Sequence, residues 1–284
     1  MRIDAHLHLW DPAEGIYPWL RPEHGPLHAP FSAADAEPLL RAAGVDLALL
    51  VQAADDGREN ERLLATARTH SWVAGVVAWV DLERPDLADG ALDGPLADPR
   101  VRGARQLLHD DPREDLLDRA AVRETLRVLA RRDLAVDVPD GFPRLLPGAA
   151  RAAQRTDGLR LVVDHLGKPP RAGGPEAMAA WRRQLAAVAR TGTTVAKVSG
   201  LYVPGLAWSE QALLPVLDVA LELFGPERLM LGSDWPVTVA GPGYAGTADV
   251  LDGLVARLSP SEQEDLRWRT AARTYRVGPA VQDR

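Results

Sequence analysis

Eight short apolar runs alternating with helical stretches predict an α/β chain whose strands close into an eight-stranded barrel. The runs are nearly continuous in Val, Leu, Ile and Ala, the pattern of parallel strands buried on both faces. Their starts lie roughly 25–45 residues apart, which suits strand–helix units. No glycine-rich phosphate loop accompanies them, so an open doubly wound sheet ranks behind the barrel. The expectation is a (β/α)8 TIM barrel forming a single domain over residues 1–284, a common size for such barrels.

The elements follow in order. The first run, Ile3–Leu9, carries Asp4, His6 and His8. The Pro- and Gly-rich stretch Asp11–Pro30 reads as a long loop over the catalytic face. A helix is expected at about 33–43, then the run Leu47–Gln52. Asn60 precedes an apolar-periodic stretch and predicts a helix start at 60–70, followed by Val73–Val80. Val101–Leu107, a helix at 118–132 and Leu134–Val138 come next, then a helix at 142–156 and Leu159–Leu166. A helix at 175–191 leads to Thr193–Ser199, and one at 209–224, opened by Ser209-Glu210, leads to Leu229–Gly232. Ala240–Gly246 reads as a second loop, before helices at 245–257 and 260–275. Ser259-Pro260-Ser261-Glu262 is a cap with proline in the first turn, and Gly158, Gly192 and Gly225 fall just past helical stretches.

Composition narrows the function classes. With 46% apolar and 26% charged residues, the chain has an ordinary globular makeup. A net charge of −7 argues against nucleic acid and anionic membrane surfaces as partners. The chain has no cysteine, which excludes disulfides, thiolate ligands and a cysteine nucleophile. No basic segment with an apolar core opens the chain, and no run approaches the roughly 18 apolar residues of a membrane span; a cytoplasmic location is expected.

In a barrel the chemistry sits at the C-terminal ends of the strands. His6 and His8, two residues apart, should point to the same side, into the mouth. The second run ends in Gln52 and the third reaches Trp79, both candidate substrate contacts. The fourth carries Arg102 and Arg105; their odd spacing forbids both from pointing inward, and Arg105 is favoured to hold a carboxylate or a polarised carbonyl. His109 is either a surface histidine or a site residue. Asp137 and Asp140 close the fifth run, and Asp164-His165 closes the sixth before a rigid Pro-rich loop. Lys197 is a buried cation facing the site or an outward residue snorkelling between helices. Asp234, followed by Trp235 as a further candidate substrate contact, ends the last run; a carboxylate among imidazoles suits a general base or a metal ligand. First and last strands of a barrel are neighbours, so His6, His8 and Asp234 should meet. His24, His28 and His70 receive no role.

Six segments carry a specific resemblance: Asp4–Trp10, Tyr17–Leu20, Val51–Ala53, Asp164–Pro169, Lys197–Leu201 and Phe224–Val237. In this order they resemble the amidohydrolase-related barrel hydrolases, in the branch of sugar-acid lactonases and pyrone-dicarboxylate lactonase, over essentially the whole chain. The resemblance implies that Asp234 activates water, that His6, His8 and His165 bind a metal or the substrate carbonyl, and that Arg105 orients the substrate. Two departures matter. The fifth run has no histidine, which makes a two-metal centre improbable; and Arg105 is followed by Gln106, with His109 later. The expected reaction is hydrolysis of a small lactone, with at most one divalent ion such as zinc, weakly held or dispensable. A metal-dependent decarboxylase and a non-catalytic small-molecule-binding barrel are the alternatives. The particular lactone and the oligomeric state are not legible, and the loops Asp11–Pro30 and Ala240–Gly246 are expected to set specificity.

Overall fold

A computed structural model describes residues 1–279; residues 280–284 of the expected domain lie outside the described residues. Eight parallel strands form one sheet in chain order: β1 (Ile3–Leu7), β2 (Leu47–Val51), β3 (Val73–Trp79), β4 (Val101–Arg105), β5 (Ala135–Val138), β6 (Arg160–Val163), β7 (Val195–Val198) and β8 (Leu229–Leu231). The ring closes just past β8. Leu7 bridges Trp235, His8 N donates to Trp235 O at 2.7 Å, and Asp234 N donates to His6 O at 2.8 Å. The expected (β/α)8 TIM barrel is therefore the fold, in a single domain.

Helices clothe the outside: α1 (Ala33–Ala42), α2 (Gly57–Thr69), α3 (Pro85–Asp93), α4 (Ala120–Arg131), α5 (Leu145–Arg155), α6 (Gly174–Ala189), α7 (Glu210–Phe224) and α8 (Gly243–Ala256). α3 has no counterpart among the helices read from sequence. Pro85 in its first turn and Gly94 just past its end do mark it, but Arg84 makes no side-chain cap bond and Gly90 interrupts its nine-residue apolar pattern. The cap expected at Asn60 belongs instead to Asp56, whose side chain accepts from Arg58 N. Asn60 is a bracket: its amide donates to Trp79 O at 2.9 Å and accepts from Trp79 N at 2.8 Å. Of the loop expected at Ala240–Gly246, the second half is already helix α8.

The helix expected at 260–275 is two short pieces, α9 (Pro260–Glu264) and α10 (Thr270–Tyr275), joined by a π turn at Asp265–Arg269. It is not the eighth barrel helix but a plug. Ala271, Ala272 and Tyr275 pack with Ile3, Ala5, Leu49, Val77, Ala135, Val162 and Met230 in the lower barrel interior. Above that layer the interior turns polar. At the upper rim, Asp11–Pro30 folds into two 3-10 turns, and Trp10, Ile16, Tyr17 and Leu20 pack on Ala53 and Ala54 beyond β2. Among the described residues, no helix is long and apolar enough to cross a membrane.

Candidate active site

The site is built in two storeys. The upper one stands just past the ends of β1, β6 and β8. His8 Nδ1 lies 2.8 Å from Val51 O, an acceptor, so this nitrogen carries the proton and Nε2 offers its lone pair to the mouth. His8 Nε2 is 3.0 Å from His6 Nε2. Asp234 Oδ1 lies 3.6 Å from His8 Nε2 and 3.8 Å from both His6 Nε2 and His165 Nε2. His165 Nδ1 is held by Ser199 Oγ at 2.9 Å, which aims Nε2 at Asp234. Both His165 (φ 55°) and Asp234 (φ 57°) are in the left-handed region, which lifts their side chains off the strand direction. Asp4 supports the second of these turns: it accepts from Ser233 N at 2.9 Å and from Tyr244 OH at 3.0 Å.

The electrostatics follow from burial and neighbours. Burial alone would raise the Asp234 carboxyl, but His165, then the contacts with His8 and His6, outweigh it and hold it well below the usual carboxylate range. Burial lowers the His165 imidazole against the pull of Asp234, and lowers His6 further. At neutral pH an ionised carboxylate therefore faces neutral imidazoles at His6 and His165.

The lower storey is ionic and fully enclosed. Lys197, inside β7, points inward; Nζ is 2.5 Å from Asp137 Oδ2, 3.1 Å from Asp164 Oδ1 and 3.1 Å from His6 Nδ1. Arg105 donates to Asp164 Oδ2 at 2.8 Å and lies 3.1 Å from His6 Nε2. Tyr275, from the plug, donates to Asp137 at 2.8 Å. Burial would raise Asp164, but Lys197, His6 and Arg105 hold it well below its usual value. Burial pushes Asp137 up to about 6, against the pull of Lys197.

A cavity opens above His8, Arg105, His165 and Asp234, walled by Trp10, Trp19, Ala53, Leu107, His109, Pro139, Asp140, Lys168 and Val237. Its apolar and aromatic walls with a few polar groups at the floor suit a small molecule. The structure thus brings His6, His8, His165, Asp234 and Arg105 together, and places His109 on the rim with its side chain one-third exposed. It does not bring the other candidate substrate contacts to the cavity. Gln52 is spent on structure: its amide donates to Arg105 O at 3.2 Å and Asp55 Oδ1 at 3.3 Å. Trp79 faces outward into a groove between α2 and α3. Trp235 packs against Phe31 at a ring distance of 5.3 Å, behind the mouth. Lys197 resolves to its inward alternative, below the mouth and sealed from it. Sequence reasoning gave no role to Trp10, Trp19, Lys168, Asp137, Asp164 or Tyr275. Asp137 and Asp164 did stand out as polar ends of apolar runs, which is the signal that could have found them.

The upper donors fit one divalent ion. His6, His8 and Asp234 each offer an atom within 4.8 Å of the others. A tetrahedral shell with bonds of about 2.0–2.2 Å needs about 3.3–3.6 Å between donors. The separations of 3.0, 3.6 and 3.8 Å straddle that range.

A family model described as amidohydrolase matches residues 3–277, and the chain belongs to this family. It is 34% identical to an L-fucono-1,5-lactonase of Burkholderia multivorans over 97% of this chain and 96% of that protein. A crystal structure of an amidohydrolase from Burkholderia multivorans with bound zinc superposes with a TM-score of 0.88, at 33% identity, over 98% of this chain and all of that one. The 5-carboxyvanillate decarboxylase of Sphingomonas paucimobilis shares the fold alone, with a TM-score of 0.67 at 14% identity over 98% of this chain and 99% of its own. The chain is thus an enzyme of the amidohydrolase family.

Proposed function

We propose that this enzyme opens a neutral, polyhydroxylated sugar-acid lactone by adding water across its ring ester. The observation that carries the reading is a buried carboxylate, Asp234, ringed by three imidazoles at the floor of a small-molecule cavity. Water beside Asp234 gives up a proton to the carboxylate as its oxygen attacks the ring carbonyl. His165, whose Nδ1 accepts from Ser199, presents Nε2–H to the oxyanion that forms. The ring C–O bond then breaks, and the proton on Asp234 passes to the departing alkoxide, leaving an open hydroxy acid. Arg105 and Lys197 fix the ring of His6 from below, and through it the floor. A divalent ion on His6, His8 and Asp234 would supply Lewis-acid polarisation of the carbonyl. A lactone is an activated ester, so its opening does not depend on that help.

Charge balance at the mouth supports a neutral substrate. Lys168 faces Asp140 at 3.6 Å, and Arg105 is engaged by Asp164. Neither cation is free to clamp a second carboxylate, as a pyrone dicarboxylate would require. Trp10 and Trp19, edge to face at 5.3 Å, offer rings to the C–H surface of a sugar. The kinship to an L-fucono-1,5-lactonase supports the same class. The decarboxylase alternative is weaker, because β5 contributes Asp137, already held by Lys197 and Tyr275.

The test is a panel of sugar 1,4- and 1,5-lactones, with pyrone-dicarboxylate and aromatic carboxylates beside them, run with and without chelator. Turnover of neutral sugar lactones, retained at least in part under chelation, is the expected result. Turnover confined to a dicarboxylate or to decarboxylation would overturn the reading.

A further inference from the structure

Directly beneath the mouth lies a second cluster with the chemistry of a metal site. His6, Asp137 and Asp164 each offer a ligand atom within 4.8 Å of the other two, and all three are fully enclosed. Yet the space between them is taken. Lys197 Nζ sits within 3.1 Å of an atom from each: Asp137 Oδ2 at 2.5 Å, Asp164 Oδ1 at 3.1 Å and His6 Nδ1 at 3.1 Å. We propose that the Lys197 ammonium is a built-in cation that fills what would otherwise be a second metal site, and so limits this enzyme to one exchangeable ion at His6, His8 and Asp234. The inference rests on the cage alone and holds whether or not the substrate is a lactone.

Three features support it. The charges balance only with the lysine present: Asp137 and Asp164 face Lys197 and Arg105, with Tyr275 donating its hydroxyl to Asp137. A buried carboxylate pair stripped of one cation would be strongly disfavoured unless another cation replaced it. Asp164 Oδ1 has ion-pair contacts but no aligned hydrogen bond, so one oxygen in the cage is left for a ligand that demands no hydrogen-bond direction. Lys197 also enters from β7 in full enclosure, with its Nζ 5.3 Å from the centre of the Tyr275 ring, so the ammonium is shut off from solvent. The missing fifth-strand histidine has its counterpart here. Asp137 occupies β5, and a lysine three residues before Gly200 supplies the charge an ion would have brought.

The experiment compares zinc content and position. Wild type, Lys197→Ala and the double variant Lys197→Ala/Asp137→Asn are equilibrated with excess zinc chloride, freed of loose metal by gel filtration and assayed for zinc per chain. Lys197→Ala should hold one more zinc than wild type, and adding Asp137→Asn should remove it. Crystals of wild type soaked in zinc should show anomalous density at His6–His8–Asp234 or nowhere, and none in the lower cage. A folded Lys197→Ala variant with no extra zinc would overturn the proposal, as would wild-type anomalous density between Asp137 and Asp164. Should Lys197→Ala not fold, the wild-type crystals still decide.

Discussion

At β1, β6 and β8 the reactive side chains stand one to three residues past the strand, on chain that turns sharply: His8, His165 (φ 55°) and Asp234 (φ 57°). At β2 and β3 the corresponding positions hold Gln52 and Trp79. Gln52 is buried, but its amide ties β2 to β4, and Trp79 is bracketed by Asn60 with its indole outside the barrel. All five residues are polar or amphipathic groups at C-terminal strand ends, yet only one side of the barrel makes a site. A strand end is a necessary position and not a sufficient one. On the reactive side the turn re-aims the side chain, and a second residue holds it there: Ser199 for His165, Val51 O for His8, and the Asp4-braced Ser233 turn for Asp234. On the quiet side Gln52 donates to Arg105 O and Asp55 Oδ1, Trp79 points into the α2–α3 groove, and neither side chain reaches the cavity.

The largest test of that contrast is Asp234→Asn. The amide is nearly isosteric, so the fold should persist while hydrolysis falls by roughly 10²–10⁴-fold, the range a general base contributes. Circular dichroism and kcat on the best substrate check it, and near wild-type turnover would remove Asp234 from the centre. Next comes Gly200→Ala. Gly200 has φ 57°, and a Cβ there would run into the His165 ring. A ring displaced by about an ångström should cost up to roughly 10²-fold in kcat. The left-handed backbone should also cost about 1–2 kcal/mol of stability. Unchanged kinetics with a normal melting curve would mean that His165 does not need its present pose.

Much of this could be read from the chain before any coordinates. Eight apolar runs at regular spacing gave the barrel, and the first and last runs met as closure requires. The ends were overshot where apolar residues continue into loops: Leu166 extends the sixth run, although β6 stops at Val163. The lower storey was the least legible part. Lys197 and Asp137 lie 60 residues apart, and Tyr275 and Asp137 lie 138 apart, so no local pattern announces their ion pair or hydrogen bond. The groups that looked most like substrate contacts, Trp79 and Trp235, were judged by residue type. Their direction depends on a strand's twist and on partners such as Asn60, which a single sequence does not display.

The rim offers a smaller effect with a pH signature. Glu59 accepts from Ala53 N and Ala54 N and from Tyr17 OH, and so ties the Asp11–Pro30 segment to the end of β2. Burial pushes this carboxyl up to about 7. Its folded value lies above its unfolded one, so the folded state keeps a proton that the unfolded chain releases. Stability should therefore fall as pH rises from about 4.5 to 7 and then level off, by at most about 3 kcal/mol from this group. Glu59→Gln should flatten that decline. Melting temperatures of both proteins between pH 5 and 8 decide; parallel curves would mean that Glu59 is ionised throughout.

The smallest effect is expected on the quiet side itself. Trp79→Phe removes the indole N–H and keeps most of the ring. That N–H is buried without a partner, so its loss forfeits no hydrogen bond and relieves a desolvated donor. The ring lines the α2–α3 groove together with Leu64, Ala88 and Leu96, so packing is largely kept. The bracket from Asn60 uses only the Trp79 backbone and is untouched. Melting temperature should stay level or rise slightly, and kcat/KM should stay within roughly a factor of two, about 0.4 kcal/mol. A clear rise in KM would mean that the substrate reaches past β3. The division between the reactive and quiet strand ends would then fail at Trp79.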